Sequence, residues 1–422
     1  METGRKDATF GGMERAFSTK AMMQYDAFLR SARGEPIILP WKETPQTTNE
    51  KKKRKRLSRK NNRTWGLWAT LPDNLLLSVM LLLNIVDYFA FSGVCRSWRS
   101  VATKWRDYYM ERQKPLVVVK SKHAKKSCFL YNVFQGEKYK ALLPNLRGNV
   151  FVGISCGYVV TLDRNSGFWL INLMTRHQLR FPLLPEDKMY IVDTDFYSLL
   201  VKSTRRSRFF MFAFSSFSNY VLLSQDGGKR WKVFTLPHIT MGIADLKVFE
   251  KKIYVLSFRA QYICVMDPSS GEVKPFKTNI RIERHCVSTQ LVILHNQLCM
   301  RTVSWLNSNR DYEKNLLYRL DMTKMVWVQK EEMGKYSLFA DHWNATAVDA
   351  SDWGSSNCIC SIGSSWNSLL RFRSLANIWS LSLLGHDKSL AKVPIVWNAC
   401  DQLIPYFWYF PGQSYNTVDC VD

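Results

Sequence analysis

The 422-residue sequence has no CxxC pair, no HExxH and no apolar run long enough to cross a bilayer. Its most apolar window, Leu75 to Val86, covers 12 residues and is broken by Ser78 and Asn84, whereas a membrane-spanning helix needs about 20. A secretory leader is missing too: Glu2, Asp7, Glu14, Asp26 and Glu35 stand where its apolar stretch would run, so the chain is not expected to be secreted. Ten Cys at 95, 128, 156, 264, 286, 299, 358, 360, 400 and 420 follow no regular framework, the usage of reduced thiols in the cytosol or nucleus. Cys358 and Cys360 form a CxC, but zinc needs a second pair of ligands at matching spacing. Alternate residues of a strand share a face, so two buried thiols side by side explain that motif.

Catalytic patterns are equally scarce. His123, His177, His238, His285, His295, His342 and His386 stand apart in sequence, with no nucleophile or acid motif beside them. The stretch Ser224-Gln225-Asp226-Gly227-Gly228-Lys229-Arg230 lacks the GxxxxGK[ST] order of a phosphate loop and reads as a hairpin turn. Asp341-His342 and the carboxylates Asp349 and Asp352 give no paired-acid geometry. The expectation is a protein that is not an enzyme, with no cofactor and no metal.

Acidic residues are also few: 35 Asp and Glu face 59 Lys and Arg, a net charge of +24. Lys51, Lys52, Lys53, Arg54, Lys55, Arg56, Arg59, Lys60 and Arg63 account for only part of that excess. A field of this sign favours acidic partners and says nothing of the fold. The run Lys51 to Arg56 has the pattern of a nuclear localisation signal, in which an importin's acidic groove takes consecutive extended cations. It also fits a phosphate-binding arm, or a solvated charge run. Nucleus, cytoplasm or both are the expected locations, and no membrane partner is expected.

What is present is globular: 46% hydrophobic, 14% aromatic and 22% charged residues, a length for two or three units and an abundance of Trp and Phe that favours strands. Residues 1–64, with Gly11-Gly12, Pro36, Pro40, Pro45 and the basic run, read as a disordered tail. From Trp65 to about Trp105 the spacing is helical, and after Pro115 short strand-like runs alternate with turns. Pro72-Asp73-Asn74 opens a helix, with Asp73 or a neighbour as its cap. Leu75, Leu76, Val79, Met80 and Leu83 fall on one stripe, and Leu77, Leu81 and Leu82 point elsewhere. A helix apolar nearly all round must be buried on more than one side, and about 40 residues make too small a core to do it. Another chain, or the C-terminal body, must supply the missing surface. Two further short helices follow, Val86 to Phe91 and Val94 to Arg99.

Leu71-Pro72, Leu75-Leu76, Val79, Leu83, Asp87, Val94-Cys95 and Trp98 resemble the F-box in residue type and in spacing. The resemblance implies a three-helix module, residues 65–112, that docks on a Skp-type adaptor, which in turn bridges to a cullin and its RING subunit. Its implied adaptor-binding residues are Leu71, Pro72, Leu75, Leu76, Val79, Leu83, Val94, Cys95 and Trp98. Three positions depart from the pattern: Leu82 replaces a polar or basic residue, Asn84 a Pro, and Ser78 an acid. These departures bear on the loop after the first helix and on adaptor affinity more than on the fold.

From 115 to about 400, apolar strands run into polar turns and out again. The units are Phe168–Leu173 before Thr175-Arg176-His177, Tyr262–Met266 before Asp267-Pro268-Ser269-Ser270-Gly271, Leu317–Leu320 before Asp321–Lys324, and Ile378–Leu383 before Gly385-His386-Asp387. Such turn chemistry, recurring at irregular intervals, reads as propeller blades or stacked hairpin sheets. Gly153–Thr161, Leu170–Thr175, Lys252–Leu256, Leu316–Asp321 with Trp327, Ser337–Phe339 and Ser351-Asp352-Trp353 are similar to the plant domain of unknown function 295. That resemblance implies a kelch-like β-propeller presenting loops to an unidentified protein substrate.

The fold class is therefore α+β and multidomain: a small three-helix F-box followed by an all-β, propeller-like domain, with 401–422 as a C-terminal tail. The implied function is a substrate receptor of a Skp-cullin-F-box ubiquitin ligase. The alternative is a basic, nuclear, nucleic-acid-associated or scaffold protein with a degenerate F-box; nucleic acid is otherwise not an expected partner.

Overall fold

The computed structural model describes residues 68–418 apart from 122–126, 135–136, 144–149, 164–166, 186–195, 204–207, 281, 283–285, 306–312, 342–343, 352–355, 363–377, 384–388, 395–402 and 412–415. The tail 1–64 and its basic run therefore lie outside the described residues. The chain divides into two compact units, 1–114 with 135–142, and 115–134 with 143–422.

In the first unit four helices are described: α1 (Asp73–Leu82), α2 (Ile85–Gly93), α3 (Arg96–Lys104) and α4 (Arg106–Glu111). The fourth, short helix extends the three that were expected. Asp73 does not cap α1. Pro72 holds that position without a side-chain bond, its carbonyl accepts the N–H groups of Leu75 and Leu76 at 3.1 Å, and Asp73 adds a carboxylate to the first turn, where the helix dipole favours it. Asn84 is a cap in full: its Oδ1 accepts from Val86 N at 3.0 Å and Asp87 N at 2.9 Å, which starts α2.

Aromatic side chains tie these helices together. Tyr88 and Tyr109 stack at 4.3 Å, and their hydroxyls donate to the Ala102 and Leu83 carbonyls, each at 2.9 Å. Trp98 lies against Phe91, ring centroids 4.5 Å apart, and its Nε1 donates to the Trp68 carbonyl at 2.9 Å. Each ring buries its body and satisfies its polar atom, as a buried Tyr or Trp must. Leu76, Met80, Ile85, Val101 and Met110 fill the space between.

The second unit is a six-bladed all-β propeller. Strands are numbered along the chain. The first sheet holds β1 (Leu116–Ser121) and β2 (Ser127–Asn132), while β3 (Glu137–Leu142) groups with the helices. The second is β4 (Val150–Ser155), β5 (Tyr158–Leu162), β6 (Gly167–Asn172) and β7 (Gln178–Leu183). The third is β8 (Phe196–Ser203), β9 (Phe209–Ser215), β10 (Tyr220–Gln225) and β11 (Lys232–Thr235). The fourth is β12 (Ile243–Phe249), β13 (Lys252–Ser257), β14 (Tyr262–Met266) and β15 (Val273–Lys277). The fifth is β16 (Cys286–Leu294), β17 (Gln297–Trp305), β18 (Glu313–Asp321) and β19 (Val326–Lys330). The sixth has β20 (Tyr336–Ala340), β21 (Ala345–Asp349), β22 (Cys358–Ile362), β23 (Ile378–Leu383) and β24 (Ser389–Pro394), in the order β21-β20-β22-β23-β24. Its β20 and β22 pair in parallel among otherwise antiparallel neighbours.

Of the residues expected as a C-terminal tail, Leu403–Tyr409 and Asn416–Val418 form strands. β25 (Leu403–Tyr409) pairs antiparallel with β1, Val117 opposite Trp408, and β26 (Asn416–Val418) pairs in parallel with β8. The C-terminal strand thus completes the first sheet and closes the ring, which removes an exposed sheet edge. Phe407, Trp408 and Tyr409 are buried there, and Trp408 Nε1 donates to the Ala340 carbonyl at 3.1 Å.

The recurring units of the sequence are the turns between third and fourth strands. Asn172, Asp267 and Asp321 each place Oδ1 on the N–H groups two and three residues ahead, in the second, fourth and fifth sheets. The side chain thus closes the turn before the fourth strand begins. The corresponding turn of the sixth sheet, Gly385-His386-Asp387, lies outside the described residues.

Polar side chains near the axis link one sheet to the next. Ser155 Oγ accepts from Leu200 N at 2.8 Å, Asp245 Oδ2 from Leu291 N at 2.7 Å, and Asp341 Oδ2 from Trp408 N at 2.9 Å. Gln290 donates to the Asp341 carbonyl at 2.7 Å and is held by Arg301, whose Nη1 donates to its Oε1 at 2.8 Å. Between these links run apolar layers, such as Phe212, Val221, Val255 and Met266 between the third and fourth sheets.

Candidate functional site

The helical unit exposes what a small domain normally hides. Leu75, Val79 and Leu82 share one face of α1 at i, i+4 and i+7 and are 50%, 37% and 87% exposed, with Pro72 exposed at the start of the same face. Leu81 and, on α2, Phe89 are exposed as well. The opposite face of α1 carries Leu76 and Met80, both fully buried. The single stripe read from the sequence is therefore two: an inward one of Leu76 and Met80, and an outward one of Leu75, Val79 and Leu82. Of the residues singled out beforehand, Pro72, Leu75 and Val79 are on the surface; Leu71, Leu83, Val94 and Cys95 are half-buried; Leu76 and Trp98 are interior. Leu76 and Trp98 pack inside the unit. Sequence reasoning left Leu82 aside, although its spacing to Leu75 and Val79 carried the signal. The nuclear-signal residues Lys51–Arg56 lie outside the described residues.

The propeller has an exposed apolar cluster of its own, built on three loops. Phe217, Met241 and Phe258 are 77%, 50% and 43% exposed. They converge on Gly242, at φ +98°, where a Cβ would stand 1.9 Å from the Ser216 carbonyl oxygen and 3.1 Å from Phe217 Cα. The Gly242 carbonyl accepts from Phe258 N at 2.8 Å. Only glycine lets these two loops approach so closely. Residues 216–219, 236–242, 258–262 and 276–280 include Arg259 and Lys277 and no Asp or Glu.

Along the propeller axis lies a cavity of about 170 Å³. Its walls come from the axial strands, with Ile154, Leu199 and Ile293 among its apolar residues and Ser198, Lys247 and Asn344 among its polar ones. Lys247 Nζ donates to Asn344 Oδ1 and, at 3.2 Å, to the Ala345 carbonyl. Asp245 is buried beside it and accepts from two backbone N–H groups, Leu246 and Leu291, each at 2.7 Å. Burial pushes its carboxyl up to about 6, against the pull of Lys247 and of those two bonds. Burial lowers the Lys247 ammonium, opposed by the charges of Asp245 and Asp341.

The remaining motifs are structural where they can be seen. Cys358 and Cys360 are buried on β22, and burial, with Cys358 beside it, pushes the Cys360 thiol up to about 12. Ser224–Arg230 joins the antiparallel strands β10 and β11 as a hairpin turn, with Gly228 N on the Gln225 carbonyl at 2.9 Å. Three described histidines each lie against a tyrosine: His177 Nδ1 is 2.8 Å from Tyr158 Oη, His238 stacks on Tyr262, and His295 meets Tyr336 edge-on. His123, His285, His342 and His386 lie outside the described residues. Asp349 pairs with Lys335 at 2.5 Å and is held down at about 2 by that contact and by Ser351. Among the described residues no group of three His, Cys, Asp or Glu side chains is placed to hold a metal ion. No described helix is long and apolar enough to cross a membrane.

Comparison with known proteins matches both units. Residues 68–109 match the F-box domain family, and residues 130–378 match the family described as KIB1-4 beta-propeller. F-box protein At5g25290 of Arabidopsis thaliana is 28% identical over 124 residues, 29% of this chain and 30% of the relative's length. Among solved structures, virginiamycin B lyase of Staphylococcus aureus is 13% identical, with a TM-score of 0.32, over 49% of this chain and 63% of that one. Hydrazine synthase of Kuenenia stuttgartiensis is 8% identical, with a TM-score of 0.32, over 51% and 65%. The propeller match covers more than half of the sequence, and the F-box match covers the helices that precede it. The chain belongs to the KIB1-4 beta-propeller family and carries an F-box domain ahead of its propeller.

Proposed function

We propose that the protein is a non-catalytic substrate receptor of a Skp-cullin-F-box ubiquitin ligase: the F-box holds a Skp-type adaptor and the propeller holds a protein target. The observation that carries this reading is the outward stripe of α1, with Leu82 87% exposed above Leu75 and Val79. Contiguous apolar side chains of this size on a small domain mark a partner surface, and the F-box match supports a Skp-type adaptor as that partner. The adaptor bridges to a cullin and its RING subunit, and the receptor's contribution to ubiquitin transfer is to hold the target near the transfer machinery.

Capture of a purified Skp-type adaptor by the full chain tests the first half. The wild type retains the adaptor, and Leu75→Asp with Leu82→Asp abolishes retention while leaving thermal unfolding unchanged. A wild type that retains no adaptor, or a double variant that retains it equally, removes the reading.

The target face of the propeller is the cluster of Phe217, Met241 and Phe258, which suits an acidic segment with large apolar side chains, since aromatic and Met anchors are the residues interfaces concentrate. Replacing all three by Ser stops ubiquitination of a bound target while adaptor capture persists; undiminished modification would rule this face out. Lys51–Arg56 deliver the chain to the nucleus through importin, and a reporter fusion whose distribution is unaltered by six Ala replacements would exclude that step.

A further inference from the structure

We infer that the axial cavity of the propeller is a binding site for a small organic carboxylate. The inference is independent of the adaptor and target surfaces. It starts from a donor inventory. Lys247 has three N–H groups and spends two, on Asn344 Oδ1 and the Ala345 carbonyl. Asn344 accepts that bond through Oδ1, and its side-chain amide N–H groups have no partner among the described residues. Ser198 Oγ is buried with no hydrogen-bond partner among the described residues. All three residues line the same cavity.

The acceptors nearby are already engaged. Asp245 uses both carboxylate oxygens on backbone N–H groups, and Asp341 uses its own on Asn344 N at 2.8 Å and Trp408 N at 2.9 Å. The cavity, whose lining also includes Asp245, therefore offers the Lys247 ammonium and several donors beside a carboxylate whose two oxygens already accept backbone bonds. A carboxylate supplies two oxygens with about four lone-pair sites, and charge-assisted bonds to an ammonium are the stronger kind. Among the other lining residues, Ile154, Leu199 and Ile293 suit the apolar part of such a ligand. An acceptor set against the buried Ser198 hydroxyl pairs a group whose burial without a partner is costly. The volume of about 170 Å³ holds on the order of ten non-hydrogen atoms, at roughly one water-sized sphere per 10–15 Å³.

The test is a thermal-shift screen of the full chain against a panel of small carboxylic acids, each beside its matched primary amide, with inorganic phosphate as a separate arm. The wild type is stabilised by a subset of the acids, with affinities at least tenfold above those of the amides. Asn344→Asp keeps a partner for Lys247 while adding a repelling charge, so it abolishes that preference with the fold intact; Ser198→Ala weakens binding severalfold. Acids and amides performing alike, phosphate alone binding, or an acid preference that survives both Asn344→Asp and Lys247→Met would each overturn the assignment.

Discussion

The two units of this protein treat apolar side chains in opposite ways. In the propeller, Phe, Val, Leu and Met pack between neighbouring sheets, and Trp408 seals the ring beneath Ala340. In the F-box, a single ten-residue helix exposes Leu75, Val79, Leu81 and Leu82 while burying only Leu76 and Met80. A closed ring of sheets can cover its own core. Four helices cannot, because so short a segment has too little interior for the apolar surface it makes. Exposure in the F-box is thus a property of size, and it leaves α1 with one face for folding and another for a partner.

Gly242→Ala should break the propeller side of that contrast most severely. The new methyl would meet a backbone carbonyl at 1.9 Å with φ at +98°, and neither side can yield cheaply. A loss of about 3–5 kcal/mol is expected in denaturant unfolding of the full chain. Retention of wild-type stability would mean that the Phe217 and Phe258 loops do not meet there.

Next in size comes the division of α1. Leu76→Ala empties a fully buried site and should cost about 2–4 kcal/mol. Leu82→Ala removes as many atoms from a side chain 87% exposed and should change stability by no more than about 0.5 kcal/mol, while weakening adaptor capture. Equal destabilisation by the two would show that α1 has no outward face.

Asp245 provides a sharper comparison within the propeller. Burial raises its folded pKa to about 6 from 3.8, so between those values the folded state binds more protons than the unfolded one. Stability should therefore fall as pH rises through that window, by on the order of 1–3 kcal/mol. Asp245→Asn has no such titration. The stability difference between wild type and variant should shrink with rising pH in urea unfolding, and a pH-independent difference would place the carboxyl in contact with water.

Much of this was legible beforehand where local chemistry decides. Asn172, Asp267 and Asp321 announce turns because a short carboxylate or amide reaches its own backbone, and those turns are where the blades fold back. The closing strand was not legible. Leu403–Tyr409 carries no turn motif, and its partner β1 lies almost three hundred positions earlier in the chain. Non-local pairing leaves no local trace, so 401–422 read as a tail. The two faces of α1 were hidden for another reason: every second or third residue is Leu, and periodicity cannot separate an inward stripe from an outward one when both are apolar. The cavity was invisible because Ser198 and Lys247 come from two different sheets and Asn344 from just before β21 of a third.

The smallest effect concerns the joint between α1 and α2, where the sequence departs from the F-box pattern. Asn84 replaces the usual Pro, and its side chain takes over the start of α2 by accepting from Val86 N and Asp87 N. Removing the cap with Asn84→Ala should cost about 1 kcal/mol, whereas Asn84→Asp, which keeps an acceptor at the helix N-terminus, should cost much less. Asp87, half-buried in the first turn, is raised by burial and lowered by its bond to Asn84. Losing that bond should therefore move its titration upward in carboxyl NMR. If Asn84→Ala leaves both stability and the Asp87 titration unchanged, the cap contributes nothing, and the orientation of α2, with the exposed Phe89 it carries, must be set by its packing, through the stacked Tyr88 and Tyr109 and the contact of Phe91 with Trp98.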